Sequence, residues 1–364
     1  MYKFSVPMPF ETRFIDDLVE INKEVEKSKI SEVYFSLPNN CSDNSGFEQL
    51  RTTNHIKTNY SDWEHLFEYT QKNDLELVYL LNTPKPFFSE SNLLDKQLEK
   101  LDKLLKKLQK SGCNKLRITN IQLMEYIRIK YPKFKINVST SLEYTEINQY
   151  INFLKIQPYI ESIVPSYNVN RNFKLLKNLK SLYPNLEIEL MVNEGCIFGC
   201  PLRYQHNLSL PYIQTETYLK RDNKLTAEFF NSTCKKYSYS NLLDEICKAT
   251  IIYPWDIESY SDIGINKFKL VGRNCPEFSN GNYLKIYKMY LKGIDDPNYI
   301  KDEEFRFLNH YIMSRKEIKI KIKEIKPYLP KISHFIENGH FCSSVCGVEC
   351  VYCYDCAKKI KELL

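Results

Sequence analysis

Eleven residues of this chain, CIFGCPLRYQH from Cys196 to His206, carry two thiols, a guanidinium and an imidazole. The alternating run before them, Ile188, Leu190 and Val192, reads as a strand that breaks at Asn193-Glu194-Gly195. Free cysteine often packs as a small hydrophobe. Here Gly195, Gly199 and Pro201 flank the pair and set a tight turn that lets both sulfurs face one point. Paired thiolates of this kind hold soft metals and iron–sulfur clusters, so the pair reads as half of such a site. On the same loop, Arg203 suits a carboxylate or phosphate and His206 suits proton transfer. Both are therefore candidates for substrate contact.

A cluster needs more ligands than two. Cys234, in the polar stretch NSTCKKYSYS, is the natural third, whereas Cys247 sits in an apolar setting that favours core burial. Cys275 in GRNCP, Cys41 in a long loop, Cys247 and a tail cysteine are the candidates for the fourth. Cys113 precedes a strand, at the opposite end, and reads as structural. The tail then runs Cys342-x3-Cys346-x3-Cys350-x2-Cys353-x2-Cys356. Four of these five suit tetrahedral zinc, and the same four suit an iron–sulfur cluster. Cys196, Cys200 and Cys234 with the five tail cysteines make eight, enough for two 4Fe-4S clusters, with Cys342 completing the first. One cluster, with zinc in the tail, is the alternative.

The elements that must position these groups alternate along the chain. Strand-like runs fall at Lys3–Pro7, Glu32–Leu37, Leu75–Leu81, Lys115–Thr119, Lys135–Ser139, Glu161–Pro165, the run before Asn193, and Lys267–Val271. Helical patterns lie at Phe10–Lys27, Ser61–Lys72, Asn92–Lys110, Ile121–Lys130, Tyr144–Lys155 and Arg171–Leu182, with a helical turn at Trp255–Ile263. Eight strands with intervening helices predict an α/β fold, a (β/α)8 TIM-like barrel. An open doubly wound sheet is the runner-up, and no Gly-rich phosphate loop supports it. The barrel spans 1–291, a helical extension 292–334, and the Cys-rich metal-binding tail 335–364.

In a barrel the functional face lies at the C-terminal ends of the strands. Cys196 and Cys200 follow the seventh strand; Arg273 and Cys275 follow the eighth. The fold must therefore bring those two loops together. In FKLVGR, Phe268 and Leu270 face one way and Lys269 and Val271 the other. Lys269 thus projects into the barrel, where it needs an acidic partner or an anionic ligand. Lys269 and Arg273 join the substrate-contact candidates.

Composition narrows the class. Hydrophobic residues at 43% and charged residues at 26% are ordinary for a globular protein, and 364 residues suffice for a barrel with an appendage. A net charge of +6 leaves RNA possible as a partner without requiring it, and no DNA is expected. No apolar run approaches the roughly 18 residues of a membrane span, and the N-terminus lacks a signal-peptide core. The expected location is cytoplasmic, where twelve cysteines point to metal or redox work rather than disulfides.

ELMVNEGCIFGCPLRYQH, followed about sixty residues later by DIGINKFKLVGR, resembles the collagenase-like peptidase family U-32. The resemblance covers roughly Lys3–Leu291, and the tail looks like that of a subgroup with a cysteine-rich C-terminus. It implies a (β/α) barrel whose last strand carries a signature close to FKIEGR. Val271 stands here in place of that acid, so no role for the acid carries over. The better understood relatives look like iron–sulfur proteins rather than proteases. They hydroxylate quinone precursors, or bases of transfer or ribosomal RNA, without oxygen. By resemblance Cys196, Cys200 and Cys234 are cluster ligands, the substrate is an RNA base or a small aromatic molecule, and an electron donor or partner subunit takes part. The alternatives are a peptidase, as the family label says, and a binding module stapled by zinc or iron–sulfur. No Ser/His/Asp order or HExxH motif supports the first.

Overall fold

A computed structural model describes residues 1–8, 12–37, 60–83, 91–194, 196–207, 242–248, 250–271, 283–300, 321–342 and 345–363. Eight parallel strands close into a barrel in chain order: β1 (Tyr2–Pro7), β2 (Ser28–Phe35), β3 (Glu76–Leu81), β4 (Lys115–Ile118), β5 (Lys135–Val138), β6 (Ser162–Ile163), β7 (Glu187–Met191) and β8 (Lys267–Lys269). The seam is the pairing of β8 with β1, Lys3 to Ser5 against Lys267 to Lys269. Each crossover from one parallel strand to the next needs a helix, and the sheet buries that helix's apolar stripe.

The helices are α1 (Thr12–Lys23), α2 (Tyr60–Lys72), α3 (Ser91–Lys110), α4 (Ile121–Lys130), α5 (Ile147–Ile156) and α6 (Phe173–Leu182), then α7 (Leu242–Lys248) and α8 (Ile257–Ser261) between β7 and β8. After the barrel come α9 (Tyr283–Asp295), α10 (Ile322–Ile325), α11 (Ile332–Asn338) and α12 (Tyr352–Leu363). In α3, Leu101, Leu104, Leu105 and Leu108 are buried, while Lys103, Lys106 and Lys110 are exposed, as its 3.6-residue periodicity requires.

Two helices start later than their apolar patterns suggest. Tyr144–Ile147 is interrupted because Glu143 is left-handed (φ 53°) and a capping box between Glu146 and Gln149 fixes the first turn of α5. Likewise Asn172 accepts the Leu175 N–H at 3.0 Å and caps α6, leaving Arg171 outside the helix. Both corrections place polar residues on the loops at the C-terminal ends of the strands.

Charge, not only hydrocarbon, fills the barrel interior. Near its base, Glu32 is 2.8 Å from both Lys115 and Lys267, and Lys267 is 2.6 Å from Glu187. Burial pushes the Glu32 carboxyl up, but Lys267, Lys115 and Arg117 outweigh it and hold the group at about 2. One layer higher, the fully buried Arg117 pairs with the equally buried Glu189, which also accepts the Ser5 hydroxyl. Arg117 Nε and Nη1 find no partner among the described residues, nor does Nδ2 of Asn137, its register neighbour on β5.

Behind the barrel rim, Arg171 is buried and donates to the carbonyls of Cys247 (2.9 Å) and Lys248 (3.2 Å). Burial pushes the nearby Asp256 carboxyl up to about 7, against the pull of Arg171. An unfolded aspartate titrates near 3.8. Between about pH 4 and 7 the folded chain therefore holds a proton that the unfolded chain has released. This contribution to stability is fully present below about pH 4 and is lost as pH rises through 7. Urea unfolding across this range is expected to show stability falling, relative to an Asp256→Asn variant, by up to roughly 4 kcal/mol. Parallel pH profiles for the two proteins would contradict this.

Candidate active site at the barrel mouth

The cysteine loop sits where β7 ends and rests on the loop that follows β6. A 3-10 turn there, Tyr167–Val169, supplies two props. The Tyr167 hydroxyl donates to the Ile197 carbonyl at 2.9 Å, and Asn168 Oδ1 accepts the Gly199 N–H at 3.0 Å. Gly199 is left-handed (φ 64°), and a Cβ built on it would meet nothing within 4 Å, so conformation rather than space calls for glycine. Cys196 is buried with Val164, Tyr167 and Met191, and the half-buried Cys200 packs against the same group.

The two thiols stand together in one packed cluster. The neighbouring Cys200 thiol, then burial, raises the Cys196 thiol well above its ordinary value despite the nearby Arg203. A neutral thiol is a poor nucleophile, because the thiolate is the reactive form. The pair is also a ready set of soft donors, since a metal displaces their protons.

Arg203 is clamped rather than presented to solvent. Its Nε lies 3.1 Å from Glu143 and its Nη2 3.4 Å from Glu194, with the Tyr167 ring 5.0 Å away. Burial disfavours its charge, but Glu194 and Glu143 keep it firmly protonated. Glu194 also accepts the Cys196 N–H at 3.2 Å, so one carboxylate ties the arginine to the cysteine loop. Glu143 accepts the Ser166 hydroxyl at 2.9 Å as well.

The loops after β7 and β8 meet, as the barrel requires. Asn193 donates to the Val271 carbonyl at 3.1 Å and accepts the Val271 N–H at 2.8 Å across 78 positions of sequence. Lys269 is buried inside the barrel below this junction, its Nζ 4.3 Å from the Tyr34 ring centre. His206 is half-buried in the short helix at 203–207, its N–H bonded to the Leu202 carbonyl at 2.8 Å. Arg273, Cys234, Cys275 and Cys41 lie outside the described residues. Cys113 is buried at the other end of the barrel, 3.6 Å from the Leu77 carbonyl, and Cys247 is buried in the core.

Among the described residues, no three Cys, His, Asp or Glu groups stand at ligand distance from a common point. Cys196 and Cys200 contribute two donors of the right softness at the right place, so the mouth fits a thiolate-ligated metal in its donor chemistry. Sequence reading missed Glu143, Tyr167, Asn168 and Arg171. The polar run SYNVNRN directly after β6 was the signal that could have found the last three.

Several known proteins resemble this chain at low identity. An uncharacterized protease of Methanocaldococcus jannaschii is 21% identical over 367 residues, covering 99% of this chain and 98% of its own. Among solved structures, the spore cortex-lytic enzyme SleL of Bacillus cereus aligns with a TM-score of 0.39 at 10% identity, covering 78% of this chain and 73% of that one. N-acetylneuraminate lyase from Fusobacterium nucleatum aligns with a TM-score of 0.35 at 10% identity, covering 100% of this chain and 98% of that one. No helix among the described residues is long and apolar enough to cross a membrane. The model of peptidase family U32 matches residues 19–199, from α1 through β7 to the turn of the cysteine loop, and the chain belongs to that family.

Proposed function

We propose that the chain is an iron–sulfur-dependent modification enzyme built on the U32 barrel. It carries out oxygen-independent hydroxylation, or a related change, of an RNA base or a small aromatic substrate. The observation that carries this reading is the Cys196–Cys200 pair, two thiols packed in one cluster at the barrel mouth beside Arg203. Cys234 is the proposed third ligand. A bound cluster carries electrons or activates an oxygen donor other than dioxygen. The protein's part is to position and insulate. Glu143 and Glu194 hold Arg203, while Tyr167 and Asn168 hold the cysteine turn. Lys269 and His206 remain the proposed substrate-facing groups, with Arg273 on the adjoining loop.

The test is anaerobic incubation of cluster-loaded protein with RNA and, separately, small aromatic acids, with water as the oxygen source and a two-electron acceptor present, because turning C–H into C–OH is a two-electron oxidation. Mass spectrometry of nucleosides and products is expected to show the gain of one oxygen atom. Absence of modification with a fully loaded protein on both substrate classes would overturn the reading. The name of the archaeal relative favours a second one, peptidase activity, which a fluorogenic peptide panel on the same preparation tests. The raised Cys196 thiol speaks against a cysteine nucleophile.

A further inference from the structure

The five tail cysteines do not stand alike. A backbone bridge holds Cys346 beside Cys350, and the Gly347 N–H closes the turn on the Cys350 carbonyl at 2.9 Å. Gly347 is left-handed there (φ 81°). Half-buried Cys342 and Cys353 pack against the core near this turn, with no three of the sulfurs yet at ligand distance from a common point, so a metal must draw them together. Two side-chain nitrogens are aimed at the group. Arg171 Nη1 donates to Cys353 Sγ at 3.6 Å, and His334 Nε2 lies 4.0 Å from Cys350 Sγ. Cys356 differs. It is buried on α12 beside Ala357 and Ile360 and bonded to Tyr352 one turn earlier, while Cys247 of α7 lies near both Cys356 and Cys353.

We propose that Cys342, Cys346, Cys350 and Cys353 are the ligands of a second soft-metal centre, seated against the barrel by Arg171, and that Cys247 and Cys356 are packing thiols outside it. Four thiolates carry the same net double negative charge around a zinc ion as around an oxidised 4Fe-4S core. One buried guanidinium serves either. Arg171 is well fixed for the task. Its side chain holds the carbonyls of Cys247 and Lys248 and lies 4.3 Å from the Phe335 ring centre. The tail is pressed onto its backbone too, since a Cβ added to Gly339 would fall 1.7 Å from the Arg171 carbonyl oxygen. At its other end the same loop carries Tyr167 and Asn168, the props of the mouth cysteines. The second centre and the mouth pair thus share one support. Because a thiolate site and its metal close together, binding is read as affinity and as order in the tail.

The experiment uses the full chain carrying Cys196→Ser and Cys200→Ser, which silences the mouth. Iron, zinc and sulfide are counted on anaerobically purified protein and distinguish the two metals. The stripped protein is then titrated with Co2+, reading the thiolate-to-cobalt absorption. Serine at Cys342, Cys346, Cys350 or Cys353 is expected to weaken Co2+ binding at least ~10–100-fold, the range seen for loss of even an outer partner. Cys356→Ser and Cys247→Ser are expected to leave it unchanged. Arg171→Gln is expected to cost roughly 10-fold and to shift the absorption band, with Arg171→Lys restoring much of both. Equal loss from Cys356→Ser and Cys353→Ser, or an Arg171→Gln protein that binds like its parent, would overturn the proposal. Should a serine variant fail to fold, alkylation of the parent chain with and without chelator gives the answer by mass spectrometry. Chelator should expose those four cysteines and leave Cys356 as before, and exposure of Cys356 along with them would overturn the assignment. A loaded tail with an empty wild-type mouth sinks only the function proposed above; the reverse sinks only this inference.

Discussion

Arg117→Met is expected to destabilise the protein by roughly 3–5 kcal/mol, a large share of the 5–15 kcal/mol that holds a typical domain together. The reason is the carboxylate it abandons rather than the contact it loses. Glu189 is fully buried across the barrel, and without the guanidinium its charge keeps the Ser5 hydroxyl and the charge of Lys267, which Glu32 and Glu187 already share. Replacing both partners, Arg117→Met with Glu189→Leu, is expected to recover most of the loss, because no unpaired charge then remains. Urea unfolding of the two single variants and the double variant measures this directly. A single-variant cost below about 1 kcal/mol, the value of an exposed pair, would mean that water reaches the barrel interior.

The second large effect concerns the mouth. Cys200→Ala is expected to abolish metal binding between β7 and β8 and to take activity to background. Cys200 is only half-buried, so its truncation removes little packing. The stripped variant and the stripped parent should therefore melt alike, and lost metal is then a ligand effect. The drop in affinity should exceed the ~10–100-fold that an outer-shell change costs. Retention of the parent's iron content by Cys200→Ala would remove this residue from the site.

Periodicity made the barrel legible. Alternating apolar runs separated by 3.6-period helices left few other architectures, and the barrel rule then placed Cys196 beside the end of β8. Burial of Cys247 also followed from its apolar neighbours in sequence, and the structural role of Cys113 from its place before a strand, at the far end of the barrel. The charged interior did not. Its signal was present, as charges two residues apart in short apolar strands: Lys115 and Arg117, Glu187 and Glu189, Lys267 and Lys269. Only Lys269 was read as inward, since one strand alone does not show which opposite charge faces it across the barrel. Arg203 was read as a substrate contact for the same reason. Its partner Glu143 lies 60 positions earlier, on a loop whose left-handed residue no pattern marked. The separation of Cys356 from the other tail cysteines was legible in hindsight. Cys356, Ala357 and Ile360 form the buried stripe of one helix.

The central claim is that the thiols at the barrel mouth are cluster ligands. Iron, zinc and acid-labile sulfide per chain, measured with an absorption spectrum on protein purified without oxygen, test it most directly. About four irons and as much sulfide per centre are predicted. The total is about eight if the tail also holds a cluster, and about four if it holds zinc, with the mouth's share disappearing in Cys200→Ala. A colourless protein without iron or sulfide, or iron that Cys200→Ala leaves untouched, would contradict the account.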